Sequence, residues 1–156
     1  MSIQKIAGSF RMFILAFLLA PVEGHSQAIV PVRGLEFGLL LPGVTARVSV
    51  RDAWRRGEVR IEGSGTMEIK LVLPSDLASS TGGGVPLLFQ GGDAAIYYPK
   101  TGRLTVFDPR QPLRITIPPA HEMVMLYLGG TAAPRSEQAA EVYSAGFVVV
   151  VSVTNT

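Results

Sequence analysis

"GEVRIEGSGTMEIKLVLP", residues 57–74, is the stretch whose reading decides the fold. Before Gly63, Val59 and Ile61 alternate with Glu58, Arg60 and Glu62. After Gly65, Met67, Ile69, Leu71 and Leu73 alternate with Glu68, Lys70 and Val72. A period of two puts every second side chain on one face, which is the pattern of a half-buried strand and not of a helix. Gly63 and Gly65 bracket the interruption, which reads as a hairpin turn requiring positive φ.

The same period recurs on either side. Leu35, Phe37, Leu39 and Leu41 share one face of a strand, and Val44, Ala46, Val48 and Val50 share one face of the next. "LRITIPP" sets Leu113, Ile115 and Ile117 against Arg114 and Thr116, and "YYPKTGRLTVF" reads as a hairpin turning at residues 99–102. Gly and Pro punctuate the runs at 42–43, 82–84, 91–92 and 108–109. Only "PSDLASS" and "SEQAAEV" have room for a helical turn, and both read as loops. Short strands divided in this way predict an all-β fold, an antiparallel β-sandwich of immunoglobulin-like type. The alternative is an eight-stranded outer-membrane barrel, whose strands run about 9–11 residues. The strands here are shorter, and the chain ends in Asn-Thr without a terminal aromatic.

The C-terminal run "EVYSAGFVVVVSVTNT" places Tyr143, Ala145, Phe147, Val149, Val151 and Val153 on one face, the core face. The opposite face carries Val148 and Val150, which need cover from water. A central strand beneath another sheet layer or a loop provides it; a partner protein is the alternative.

Residues 1–28 read as a signal peptide, and 29–156 as a single β-sandwich domain. Lys5 and Arg11 precede the apolar run 12–20, Pro21 ends it, and Ser26-Gln27-Ala28 offers a small-spacer-small cleavage pattern. A second cut is available after Gly24. The run is shorter than the about 20 residues that cross a bilayer, so the mature chain is expected to have no transmembrane span. Export to the periplasm, cell surface or exterior is expected. Lys5, Arg11 and Glu23 leave with the leader, and no basic cluster longer than Arg55-Arg56 remains, so a nucleic-acid footprint is missing. With no cysteine in the chain, stability rests on the core and not on disulfides.

Three patches carry a resemblance. "RGLEFGLLLPG", "VRIEGSGTMEIKLVLP", and "LYLGGT" followed by "EVYSAGFVVVVSV" are similar to the motifs of a bacterial secreted family catalogued as domain of unknown function 4402. The positions that carry it are Leu35, Phe37, Gly38, Gly63, Pro74, Gly129, Gly130, Tyr143 and Phe147, over residues 34–153. Ala145 and Glu141 depart from the family's glycines. The resemblance implies a pilin-like or spore-coat-like β-sandwich, exported and displayed, without assigned chemistry. The residues themselves read as structural: glycines for turns and close approach, Gly129-Gly130 ending a strand before a loop at 131–138, and Tyr143 with a buried ring and a hydroxyl bonded to a loop.

Chemistry is sparse. One histidine follows the leader, His121, in what reads as an exposed turn, and no serine sits in a nucleophile elbow. The carboxylates are scattered, so neither a metal nor another cofactor is expected. "TGGGVP" and "QGGDAA" lack the Gly-Lys-Ser/Thr ending of a phosphate loop. The dense patch is "RDAWRRGEVR". Either Trp54 caps the end of the sandwich with its arginines solvated, or Arg51, Trp54, Arg55 and Arg56 bind an acidic glycan or lipid headgroup. The expected function is a non-enzymatic exported structural or surface protein, a subunit or accessory of a pilus-like or coat-like assembly. The alternative is an envelope- or glycan-binding module. The segment 29–34, "IVPVRG", is too short for a donor arm. It is expected to pair within its own domain beside the C-terminal strand, giving a monomer when isolated.

Overall fold

The computed structural model describes residues 27–79 and 81–154; the expected leader, except for its last two residues, lies outside them. Among the described residues the chain is all-β, with fourteen strands. The first seven are β1 (Ala28–Arg33), β2 (Leu39–Leu40), β3 (Ala46–Val48), β4 (Gly57–Glu62), β5 (Gly65–Val72), β6 (Asp76–Ala78) and β7 (Gly84–Leu88). They are followed by β8 (Ala94–Tyr98), β9 (Arg103–Phe107), β10 (Leu113–Ile117), β11 (Met123–Leu128), β12 (Gly130–Ala132), β13 (Glu141–Val142) and β14 (Val148–Val153).

The strands that flank Gly63 and Gly65 alternate as expected, but they do not pair with each other. β4 joins a five-stranded sheet of order β1-β4-β11-β8-β9, whereas β5 is the middle of a three-stranded sheet, β10-β5-β14. The glycine turn, with φ of 131° and 99° at its two glycines, is a corner from one layer to the other and not a hairpin. A second corner, between β10 and β11, lies beside it, and the Gly63 N–H donates to the Glu122 carbonyl at 2.8 Å. All pairings are antiparallel. Val59 and Ile61 of β4 and Val124, Leu126 and Leu128 of β11 meet Met67, Ile69 and Leu71 of β5, Ile115 and Ile117 of β10, and Val149 of β14 in one buried cluster. Each fully buried Leu or Ile contributes about 1.5–3 kcal/mol of transfer free energy, so this two-layer core is the main source of stability. Sheet ends are present on both layers, so the described strands form open sheets and not a closed barrel.

A smaller annex lies against the sandwich. It contains a sheet of order β3-β12-β7-β6 and the short ribbon β13-β2, around Phe37, Leu40, Val48, Leu77, Val85, Leu87, Ala132 and Tyr143. Two readings change here. Gly129-Gly130 leads directly into β12, not into a loop, so the loop begins only at Ala133. "PSDLASS" contains strand β6.

The face assignment of "LEFGLLLPG" also changes. Phe37 is buried, but so is Leu40, while Leu39 and Leu41 are exposed. Gly38 is the cause. Its φ of 72° is a left-handed conformation that breaks the two-residue alternation, and the inward set shifts by one residue.

The hairpin over residues 99–102 is present, with the Gly102 N–H donating to the Tyr98 carbonyl at 2.9 Å. β9 then crosses to β10 through a turn at 108–112. There the Arg110 guanidinium bonds the Asp108 carboxylate at 2.7 Å and 2.9 Å. That hydrogen bond, helped by the Arg110 backbone N–H, holds the Asp108 pKa down at about 2. A depressed carboxylate contributes stability above its unfolded pKa and loses it as pH falls through the folded one. The contribution should therefore fade between the ordinary value of 3.8 and about 2. Carboxyl chemical shifts followed by NMR should show Asp108 titrating near the lower value, and Arg110→Ala should return it toward the upper one.

Candidate functional site

Three places bear on function, and the first is the loop between β3 and β4. Asp52 organises it. Its carboxylate accepts from the backbone N–H groups of Trp54 (3.1 Å) and Arg55 (3.2 Å) and from the Arg55 Nε (2.8 Å). The Arg55 side-chain bond is the main reason that the Asp52 pKa is lowered. The loop is tied down at both flanks. Glu36 N–H donates to the Arg55 carbonyl at 2.8 Å, and Arg33 Nη1 donates to the Ala53 carbonyl. Trp54 stands at the top of this pinned turn with 86% of its surface exposed.

Trp54 therefore does not cap the sandwich. Arg56 departs from the expectation in the opposite sense and turns inward. Its Nε donates to Glu58 Oε1 at 2.8 Å, its Nη1 to the Val50 carbonyl at 3.0 Å, and its guanidinium lies 3.5 Å over the Tyr127 ring. Tyr127 stacks in turn on Tyr97, with centroids 5.9 Å apart. Burial raises the Tyr127 pKa, with Arg56 opposing, and keeps the ring a neutral platform for the cation. Glu58 is 8% exposed and also has Arg33 3.8 Å away. Of the four patch residues, Arg51, Trp54 and Arg55 face water, whereas Arg56 belongs to a packed cluster on the outer face of the five-stranded sheet. Neither Glu58 nor Tyr127 was singled out in the sequence. The signal for Glu58 was the two-residue spacing of opposite charges in Arg56-Gly57-Glu58.

The chain has a single tryptophan, so its fluorescence reads this loop alone. The folded protein should emit at a solvent-exposed wavelength and be quenched by acrylamide almost as fully as the unfolded chain. Trp54→Ala should change stability by no more than about 0.5 kcal/mol. A blue-shifted, quencher-protected emission would contradict the exposed position.

The second place is an apolar seam between the two cores. Leu35, Phe37, Pro74 and Phe147, from three separate motif stretches, converge there with Leu77 and Phe89. Gly130 backs onto it, since a Cβ added there would lie 3.1 Å from the Phe89 ring and 3.6 Å from Leu35. The crevice holds little free space, so these motif positions join the annex to the sandwich. Tyr143 is buried nearby in the annex, and its hydroxyl donates to the Ala139 carbonyl at 2.9 Å.

The third place is the free edge of β14. The C-terminal strand is not central; among the described residues it pairs only with β5 and ends the three-stranded sheet. Nor does the N-terminal segment cover it. β1 pairs within its own domain, but on β4 in the other sheet. Exposed strand edges invite pairing, and proteins blunt them with charge, proline, bulges or shortness. β1 has Pro31 and a register break before Arg33. β9 begins with Arg103, β10 has Arg114 at its second position, β3 is three residues long around Arg47, and β6 begins with Asp76. β14 is six residues, "VVVVSV", with unbroken register against β5 and none of these devices. Its outer face sets Val148 beside Val72 and Val150 beside Lys70. Val153 shares the alternation of buried Val149, yet it is 50% exposed.

Among the described residues no group of three or more His, Asp or Glu could hold a metal ion. No helix among them is long and apolar enough to cross a membrane. His121 does lie in a turn, but it is half-buried, with its ring edge-on to Tyr98 at 6.3 Å. No protein-family model matches the chain, and comparison with curated proteins gives no match either.

Proposed function

We propose that this chain is an exported, non-enzymatic structural protein of the periplasm or cell surface, a pilin-like or coat-like sandwich that assembles through the edge of β14. The observation that carries this reading is the unguarded six-residue edge, uncharged and valine-rich. Strand addition at such an edge supplies main-chain hydrogen bonds for affinity and alternate side chains for specificity. The leader pattern in residues 1–28 and the resemblance to a secreted sandwich family support export and display. The test is the native size of the protein in cell fractions. The full chain should leave the cytoplasm, lose its leader and run in a complex larger than the monomer. Val150→Glu should release it from that complex with its circular dichroism unchanged. A cytoplasmic product still beginning at Met1, or a monomer in the envelope, would overturn the proposal.

A second reading is favoured by Trp54. An exposed indole on a pinned turn, flanked by Arg51 and Arg55, suits stacking on a sugar face next to an acidic group. Binding to an acidic glycan that is lost in Trp54→Ala and retained in Val150→Glu would establish this module in its own right.

A further inference from the structure

We infer that the strand added to β14 is β14 of a second copy of this chain, antiparallel and related by a two-fold axis through Val150. The inference rests on the assembly reading above and names its partner. The N-terminal segment of a neighbouring copy is not available as donor, because β1 is already bonded along β4 of its own domain. Among the six-residue strands at a sheet end, β14 is the one without proline or bulge. It bears no charge, so two copies meet without the like-charge repulsion that guarded edges would impose.

Register follows from the faces. Opposed residues of an antiparallel pair point to the same side, so the axis must pass through a residue and not between two. With Val150 on the axis, Val148 faces Ser152 of the second copy on the outer side, and Val149 faces Val151 on the core side. Continuing the same register sets half-exposed Val153 opposite Phe147, a residue already packed at the margin of the core. An axis through Val151 would instead set Val153 against Val149, which is already buried. The Val150 register thus covers the exposed valine with aromatic surface. It joins two three-stranded sheets into one of six and brings the Val148 and Val150 faces together across the axis.

The test uses charge at the axis. Val150 stands opposite Lys70 within the domain, so Val150→Glu gains a cross-strand partner in the monomer while facing another glutamate in the dimer. The exported protein should sediment at twice the monomer mass, and Val150→Glu and Val150→Lys should each sediment as monomers. An equimolar mixture of the two should return to the doubled mass. If Val150→Lys does not fold, Val148→Glu mixed with Ser152→Lys reads the same register. A wild type that stays at monomer mass on concentration overturns the inference, as does a dimer that survives Val150→Glu. If the wild type is monomeric alone but lies in an envelope complex that Val150→Glu disrupts, self-pairing falls and the assembly reading stands. Monomers in both settings overturn both.

Discussion

Gly129→Ala should cost about 3–5 kcal/mol, a large fraction of the stability of a domain this size. Gly129 lies where the chain leaves β11 for β12 and passes from the sandwich into the annex. A Cβ built there would sit 2.3 Å from the Val48 carbonyl oxygen and 3.1 Å from the Val50 amide nitrogen. Both are backbone atoms, the first held by the pairing of β3 with β12, and cannot rotate away as a side chain does. The Gly129 N–H also donates to the Asp93 carbonyl at 2.7 Å, so displacing the strand strains a second contact. Gly130→Ala meets side chains alone, the Phe89 ring at 3.1 Å, which can shift, and Leu35 at an ordinary 3.6 Å, and should cost about 1 kcal/mol. Thermal unfolding should show a fall in Tm on the order of 10 °C for the first and a much smaller one for the second. Equal effects at the two positions would contradict the backbone-contact account.

Glu58→Ala is the other large effect, at about 3 kcal/mol, the low end for breaking a buried ion pair. The low end applies because Arg33 and Arg56 keep 30% and 16% of their side-chain surface exposed. Removing the carboxylate strands Arg56 over the Tyr127 ring with the Val50 carbonyl as its remaining bond. Glu58→Gln retains an acceptor oxygen and should lose about half as much. Denaturant unfolding measures both. A double-mutant cycle with Arg56→Met should recover a good part of the loss, since removing both charges spares the uncompensated cation. Strict additivity would mean that the pair does not interact.

What the sequence made legible were the strands, because alternation is local. Met67, Ile69, Leu71, Ile115 and Ile117 are buried where their period placed them. What escaped was decided between strands. Nothing in residues 57–74 shows that their two halves belong to different sheets, since a glycine corner and a glycine hairpin use the same residues. Alternation puts Leu39 and Leu41 with Phe37 on one face, but the positive φ of Gly38 moves Leu40 inward and leaves Leu39 and Leu41 in water. The composition of "VVVVSV" suggests a covered strand, while its position depends on how many neighbours the fold supplies, and among the described residues there is one. The size and apolar ring of Trp54 favour a buried cap. Three hydrogen bonds to Asp52 instead spend the loop's polar groups on holding the turn and leave the indole outside.

The central claim, that β14 is the edge through which the protein assembles, is tested most directly by a single cysteine. The natural chain has none, so Val150→Cys introduces one thiol on the proposed axis and Val106→Cys places a control on the β9 edge, where Val106 is 45% exposed. In intact cells under mild oxidation, Val150→Cys should form a disulfide-linked species of twice the mass and resist maleimide, while Val106→Cys should remain monomeric and label freely. A Val150→Cys protein that stays monomeric and labels as readily as the control would contradict the claim.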